Sequence, residues 1–386
     1  MLNFDFHNPT HIVFGKDRIA DIAKLVPADA KVLILVGGAS AEKTGTLAEV
    51  RTALGERSHA TFSGIEPNPS FDNAMEAVKQ VRDGGFTFLL AVGGGSVIDA
   101  TKFIAAAALF EGDPWDIVSS WGRKITKAVP FGVVLTLPAT GSEMNNGGVI
   151  TRSDIAAKRP FHSAKVFPQF SVLDPTKTYT LPMSQIANGV VDAFVHTVEQ
   201  YLTYPVNAHV QDRFAEGLLK TLVEVGPRLL NAKEPVYDDR ASLMWTATLA
   251  LNGLIGAGVP QDWATHMIGH ELTALHNIDH ARTLAIVLPS LLQERRVQKR
   301  EKLLQYGERV WGITTGTEEE RVTAAIEKTR AFFEQLGIPT RLKSYGLGAK
   351  DIDAVITQLE AHGMTQLSEH RDITPAISRR ILEAAL

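Results

Sequence analysis

Three uninterrupted apolar runs decide the fold of the first half of this chain. They are Lys31–Val36 (KVLILV), Phe86–Val92 (FTFLLAV) and Phe131–Leu137 (FGVVLTL). None alternates apolar with polar residues, so each reads as a strand buried on both faces. The first two end in glycines and the third in Pro138–Ala139–Thr140–Gly141. Between them lie segments with helical spacing, such as Phe71–Arg82, where Ala74, Met75, Val78 and Val81 fall on one face. His11–Phe14, Ala60–Phe62 and Phe170–Leu173 read as further short strands, with helices through Leu54 and to about Phe110. Strands alternating with helices predict an α/β domain whose mostly parallel sheet is covered on both faces.

After Leu181–Pro182 the texture changes. Helical periodicity takes over in Ser184–Leu202, Ala208–Leu230, Asp239–Leu254, Glu318–Leu336 and Lys350–Ala361. We place a boundary near residue 180, with an α/β domain over 1–180 and an all-helical domain over 181–386. No fixed-period repeat or low-complexity linker separates them.

Composition removes several classes of function. A formal charge of −4 gives no electrostatic reason to expect nucleic acid or an anionic membrane as partner. With no cysteine in the chain, a metal site must use histidine and carboxylate. The segment MLNFDFHNPT lacks the charged and apolar regions of a secretory signal, and no uncharged apolar run approaches ~20 residues, so the cytoplasm is expected.

The segment AVGGGSVIDATK, residues 91–102, places Gly93, Gly94, Gly95 and Ser96 between a strand and a helix. Glycines let backbone approach a ligand, and helix N–H groups suit a pyrophosphate. Ser96 reads as the N-cap, with Asp99 in the position of a capping-box acid. The pattern is not GxGxxG, and a tight structural turn explains it equally well. A second loop, Thr136–Glu143, follows another strand and adds Thr136, Thr140 and Ser142, where ligands sit in open α/β sheets.

Four of the twelve histidines, His266, His270, His276 and His280, crowd into fifteen residues. A straight helix would hold His266 and His280 ~21 Å apart, so a shared ion requires the chain to turn. His276–Asn277–Ile278–Asp279 offers the break. His270–Glu271 begins an HExxH motif, but Ala274 occupies the fifth position. Upstream, Asp192 and His196 share a helical face one turn apart. With two of the downstream histidines they form a three-nitrogen, one-oxygen set suited to zinc or iron(II). A hydrogen-bonded surface pair is the plainer reading of Asp192 and His196 alone.

Taken in order, AVGGGSVIDATK, TLPATGSE, VLDPTKTYTLP, NGVVDAFVHTVEQY and ATHMIGHELTALHNIDHARTLAIVLP resemble the iron-containing (group III) alcohol dehydrogenases over nearly the whole chain. The likeness is nearest to the branch of NADPH-dependent aldehyde reductases and butanol dehydrogenases. It implies a dehydroquinate synthase-like α/β nucleotide-binding domain followed by a helical metal-binding domain, usually in a homodimer. It implies Asp192, His196, His266 and His280 as ligands of one divalent ion, zinc or iron. His270 becomes a non-ligand near the nicotinamide; one turn after a candidate ligand, it reads as a proton-relay or cofactor-orienting residue, with simple packing equally open. Many relatives have His-Gly where this chain has His280–Ala281, a departure expected to alter packing without removing the ligand.

The implied reaction is hydride transfer between NADP(H) and small aldehydes or primary alcohols, mainly as aldehyde reduction. Lys158 is a further cofactor-binding candidate. The resemblance places the end of Lys31–Val36 beside the adenosine ribose. The loop Gly37–Gly38–Ala39–Ser40 carries no acid, and Lys43 follows, which favours NADP, while glycines that only shape a turn would admit either cofactor; Glu42 is expected to point away. Val190, Val191, Phe194, Leu254, Ile255, Val259 and Trp263 are expected to favour a small, weakly polar substrate. The alternatives are an NAD-dependent diol or polyol dehydrogenase, a dehydroquinate synthase-like lyase, and a non-catalytic metal-binding protein. The lyase needs a basic cluster absent from these motifs, and the last leaves the glycine loops unexplained.

Overall fold

The computed structural model describes residues 1–386. The expected strands form one six-stranded sheet: β1 (His11–Phe14), β2 (Val32–Val36), β3 (His59–Phe62), β4 (Phe88–Gly94), β5 (Phe131–Leu137) and β8 (Phe170–Leu173). Their order is β1-β8-β5-β4-β2-β3, and every pairing is parallel. β2 is buried along its whole length, as its lack of alternation predicts. Gly132 sits opposite Phe170 in the register, and a Cβ there would lie 2.3 Å from the Phe170 ring. The glycine gives that ring its place, stacked 6.1 Å from Phe88. Burying each of these rings contributes about 1.5–3 kcal/mol.

The antiparallel hairpin of β6 (Gly147–Arg152) and β7 (Ala157–His162) was not expected from sequence. Lys158, Arg159 and Pro160 break the apolar pattern of β7, and a proline lacks the N–H a central strand would need. In a two-stranded ribbon it is tolerated. Ala156 turns the chain in the left-handed region at φ 46°.

The α/β unit comprises His7–Pro182 together with Pro235–Thr248. The segment 235–248 lies in the helix Tyr237–Ala250 and returns to this unit, where Arg240 donates to the Thr178 carbonyl at 3.2 Å. The other unit comprises Met1–Phe6, Met183–Glu234 and Leu249–Leu386, and all its regular elements are helices apart from 3-10 turns. Its central helix, Met183–Tyr201, is buried continuously from Ile186 onwards. Gly226 of the helix His209–Asn231 approaches it closely, a Cβ there falling 3.1 Å from Val190. Phe194 packs on Phe332 and Phe333 with ring centroids 5.3 and 5.5 Å away. No helix is long and apolar enough to cross a membrane.

Candidate metal centre and cofactor loops

Asp192, His196 and Glu199 are spaced i, i+4, i+7 on the Met183–Tyr201 helix, so they share one face. Polar side chains in so buried a helix need partners. The opposing histidines come from a broken helix. Ala264–His276 ends at Asn277, which adopts the left-handed conformation at φ 52°, and His280 opens the next helix, His280–Glu294, after Asp279. This break folds His280 back until its ring centroid is 5.2 Å from that of His266. His276 stays at the turn.

The ligand atoms of Asp192, His196 and His266 all lie within 4.8 Å of one another. Asp192 Oδ1 is 3.7 Å from both His196 Nε2 and His280 Nε2. That is too long for hydrogen bonds, and near the ~3.3–3.4 Å between donors that tetrahedrally hold one zinc at ~2.0–2.1 Å. Asp192 Oδ1 is buried without a hydrogen-bond donor, a costly state that a cation relieves. Burial holds His196 down to about 4 against the attraction of Asp192, so its imidazole is neutral at pH 7, the form that ligates. Asp192, Glu199, Asp262 and the Glu369 side chain are all buried, with Lys299 the buried ammonium among them. Burial pushes the Glu199 and Glu369 carboxyls above their ordinary range, and a divalent ion would offset the unpartnered carboxylate of Asp192. The donor set therefore fits such an ion.

His270 is also buried, its ring centroid 5.1 Å from His280 and 6.1 Å from His266. Trp263 precedes the His266 helix in the left-handed region at φ 63° and sets its indole edge-on to His266 at 5.3 Å. A bulky residue held there marks local strain at a site. The expected apolar lining is revised. Val190, Val191, Phe194 and Ile255 are fully inside the helical core, and of the seven residues Trp263 is the one with ring contacts to His196 and His266.

In the α/β unit, Gly37–Ser40 follows β2, Gly93–Ser96 spans the junction of β4 with the next helix, and Thr136–Ser142 runs out of β5; the carboxyl ends of these three strands are adjacent in the sheet. From β2 the chain runs outward to β3, then returns to β4 and continues the other way through β5 and β8. The reversal lies between β2 and β4, where open sheets bind ligands. The helix Gly95–Ala107 has Gly94 as its N-cap and no side-chain cap, leaving its first N–H groups for an anion. Ser96 is thus inside the helix rather than capping it. The glycines also answer to packing. A Cβ at Gly93 would meet Val97 at 2.5 Å, at Gly94 Leu137 at 2.9 Å, and at Gly95 Thr140 at 2.5 Å.

Asp99 does not act as a capping-box acid either. Its carboxylate accepts from Ser142 Oγ at 2.6 Å and from the Val149 N–H at 2.9 Å. Lys102, which sequence reasoning passed over, donates to Ser142 Oγ, Asn145 Oδ1 and the Gly147 carbonyl at 2.9, 2.8 and 2.6 Å. Asp99 and Lys102 are three apart on one helix, so together they bind the glycine turn to the Ser142–Val149 segment. Lys158 donates to Asn68 Oδ1 at 2.8 Å. Gly38, Ser40 and Lys43 are exposed, and Glu42 accepts from Arg51 at 3.2 Å.

Burial lowers Lys102 to about 8, against attraction from Asp99 and Glu143. Between about 8 and its unfolded value the unfolded chain holds a proton that the folded protein does not. Stability from this group therefore rises with pH across that window, and the penalty of the buried charge is complete below it. Lys102→Met should remove the rise. Its stability difference from wild type, measured by urea unfolding, should change by up to about 3 kcal/mol between pH 7.5 and 10.5. A constant difference would mean that the ammonium is not desolvated.

The family model described as "Iron-containing alcohol dehydrogenase" matches residues 9–175, and the one described as "Fe-containing alcohol dehydrogenase family, C-terminal" matches residues 186–385. NADPH-dependent aldehyde reductase YqhD of Escherichia coli K12 is 62% identical over 388 residues, covering 100% of both chains. The crystal structure of E. coli K-12 YqhD superposes with a TM-score of 0.98 at 61% identity, covering 100% of this chain and 99% of that one. NADH-dependent butanol dehydrogenase A from Thermotoga maritima superposes with a TM-score of 0.95 at 34% identity, covering 100% and 99%.

Proposed function

Because the chain belongs to the iron-containing alcohol dehydrogenase family, we propose that it is a metal-dependent oxidoreductase that works mainly as an NADPH-dependent reductase of small aldehydes. The observation that carries this reading is the full-length likeness to an NADPH-dependent aldehyde reductase. The buried donor set supports it. Asp192, His196, His266 and His280 hold one divalent ion, zinc or iron. When bound, that ion supplies Lewis acidity toward a carbonyl oxygen and the dinucleotide supplies hydride. The uncapped N–H groups at Gly95 and Ser96 bind the pyrophosphate, with Gly93 and Gly94 keeping the turn narrow. Asp99, Ser142 and Lys102 hold that turn against its neighbour, and Thr136, Thr140 and Lys158 belong to the same cofactor region. Gly37, Gly38, Ser40 and Lys43 receive the 2′-phosphate of NADP. His270 holds and moves a proton near the reacting oxygen. The protein acts in the cytoplasm as a homodimer.

The deciding experiment is NADPH oxidation against a panel of aldehydes, with the metal content of the protein measured. Turnover should scale with metal occupancy, exceed that with NADH, and run faster toward reduction than alcohol oxidation. In the same assay His270→Phe should keep its metal and lower kcat by ~10²-fold or more where proton delivery limits, changing the pH–rate profile. Metal-loaded protein that reduces no aldehyde would sink the proposal. An unchanged kcat and profile in the variant would leave His270 a packing residue.

A further inference from the structure

His266 is held from behind by a side chain that belongs to no donor set. Glu199 places Oε2 in hydrogen-bonding contact with His266 Nδ1, and its Oε1 accepts from the Thr265 N–H at 2.7 Å. The Glu199 carbonyl accepts from the Asp262 N–H at 2.9 Å. Glu199 thus grips the chain on both sides of Trp263, by main chain at Asp262 and by side chain at Thr265 and His266. Asp262 continues the support. Its Oδ1 accepts from the Ala264 N–H at 3.0 Å, and its Oδ2 pairs with Lys299 Nζ at 2.8 Å. Lys299 also donates to Glu369 Oε1 and to the Leu202 carbonyl, each at 2.7 Å. The side chains of Glu199, Asp262, Lys299 and Glu369 are no more than 3% exposed.

We infer that Glu199 is a positioning residue that selects the tautomer of His266, and that Asp262, Lys299 and Glu369 anchor it. This rests on the metal-site reading above. A carboxylate can only accept, so it draws the imidazole proton to Nδ1 and leaves the Nε2 lone pair for an ion. Carboxylate–histidine pairs of this kind raise ligand basicity and fix the ring. Their loss typically weakens metal binding 10–100-fold.

The chemistry makes an unusual ranking. In Glu199→Gln the amide oxygen must stay on the Thr265 N–H, because turning the NH2 there would set donor against donor. The NH2 then faces His266 Nδ1 and donates to it. The imidazole proton moves to Nε2, which can no longer ligate. Glu199→Ala instead leaves a space in which water can accept from Nδ1–H. A packing role ranks the two variants the other way, since glutamine keeps the shape and alanine leaves a cavity.

The test measures Zn²⁺ and Co²⁺ affinity by chelator competition for wild type, Glu199→Gln, Glu199→Ala and Asp192→Ala, alongside the melting temperature of each without metal. The expected result is that Glu199→Gln binds 10–100-fold more weakly than wild type and more weakly than Glu199→Ala, although it melts closer to wild type. Glutamine binding metal like wild type, or affinities that simply follow melting temperature, would overturn the inference. If Asp192→Ala binds at wild-type affinity, the metal-site reading fails. If Asp192→Ala loses the ion while Glu199→Gln keeps it, that reading stands and this one falls. Nitrogen NMR of imidazole-labelled, zinc-loaded wild type needs no variant. His266 should show Nδ1–H, and a proton on Nε2 overturns the tautomer assignment.

Discussion

Asp192→Ala should lose its metal and nearly all turnover. In the proposed site Asp192 would supply the carboxylate, and its Oδ1 is 3.7 Å from His196 Nε2 and His280 Nε2. Without it an ion keeps three neutral imidazoles and loses the anionic ligand that offsets its charge. The loss of affinity should therefore exceed the roughly 10–100-fold typical of outer-shell partners. His266→Ala should behave in the same way, because it removes a donor on the opposite helix. His276→Ala is the control. It stands at the last position of its helix, beside the left-handed Asn277, and should bind metal as wild type does. The measurement is metal content after dialysis, followed by kcat with NADPH and an aldehyde. Stoichiometric metal in the Asp192 variant at wild-type affinity would remove the site from these residues.

The sheet was legible because KVLILV, FTFLLAV and FGVVLTL have one interpretation at their length, and the turn at Asn277–Asp279 because those residues favour left-handed and capping conformations. What escaped depended on contacts distant in sequence. Ser96 and Asp99 have the local look of a cap, yet Asp99 is claimed by Ser142 and Val149, 43 and 50 residues away. No local propensity reveals that competition. Glu199 carried a readable signal, a carboxylate one helical turn beyond His196 on the Asp192 face. Its role depends on His266, 67 residues later, and on which imidazole nitrogen bears the proton. Phe194 reads as apolar wherever it points, and periodicity could not distinguish a substrate-facing ring from one packed on Phe332 and Phe333. The β7 strand was hidden by its own Lys158–Arg159–Pro160.

Gly38→Asp should turn the cofactor preference from NADPH toward NADH. The two differ at the adenosine ribose, where one carries a 2′-phosphate and the other a hydroxyl. A carboxylate there accepts from the hydroxyl and repels the phosphate. Gly38 follows β2 at the reversal of strand order, is exposed, and has nothing within 4 Å of the position of a Cβ. Its φ lies outside the left-handed region, so an aspartate fits without backbone strain. The substitution therefore changes charge with little change in packing, unlike one at Gly93 or Gly95, where a Cβ would strike Val97 or Thr140 at 2.5 Å. The nearest acid in sequence, Glu42, is already paired with Arg51, so the wild-type loop offers Lys43 as its uncompensated charge. Two charges about 4 Å apart interact by ~1 kcal/mol in water and ~4 kcal/mol at a protein surface. The ratio of kcat/KM for NADPH over NADH should accordingly fall by about 10-fold or more. The penalty should shrink as salt screens the pair. Equal losses with both cofactors would mean that the aspartate disturbs the loop itself. A wild-type enzyme that already works as well with NADH would show that this loop does not read the 2′-phosphate.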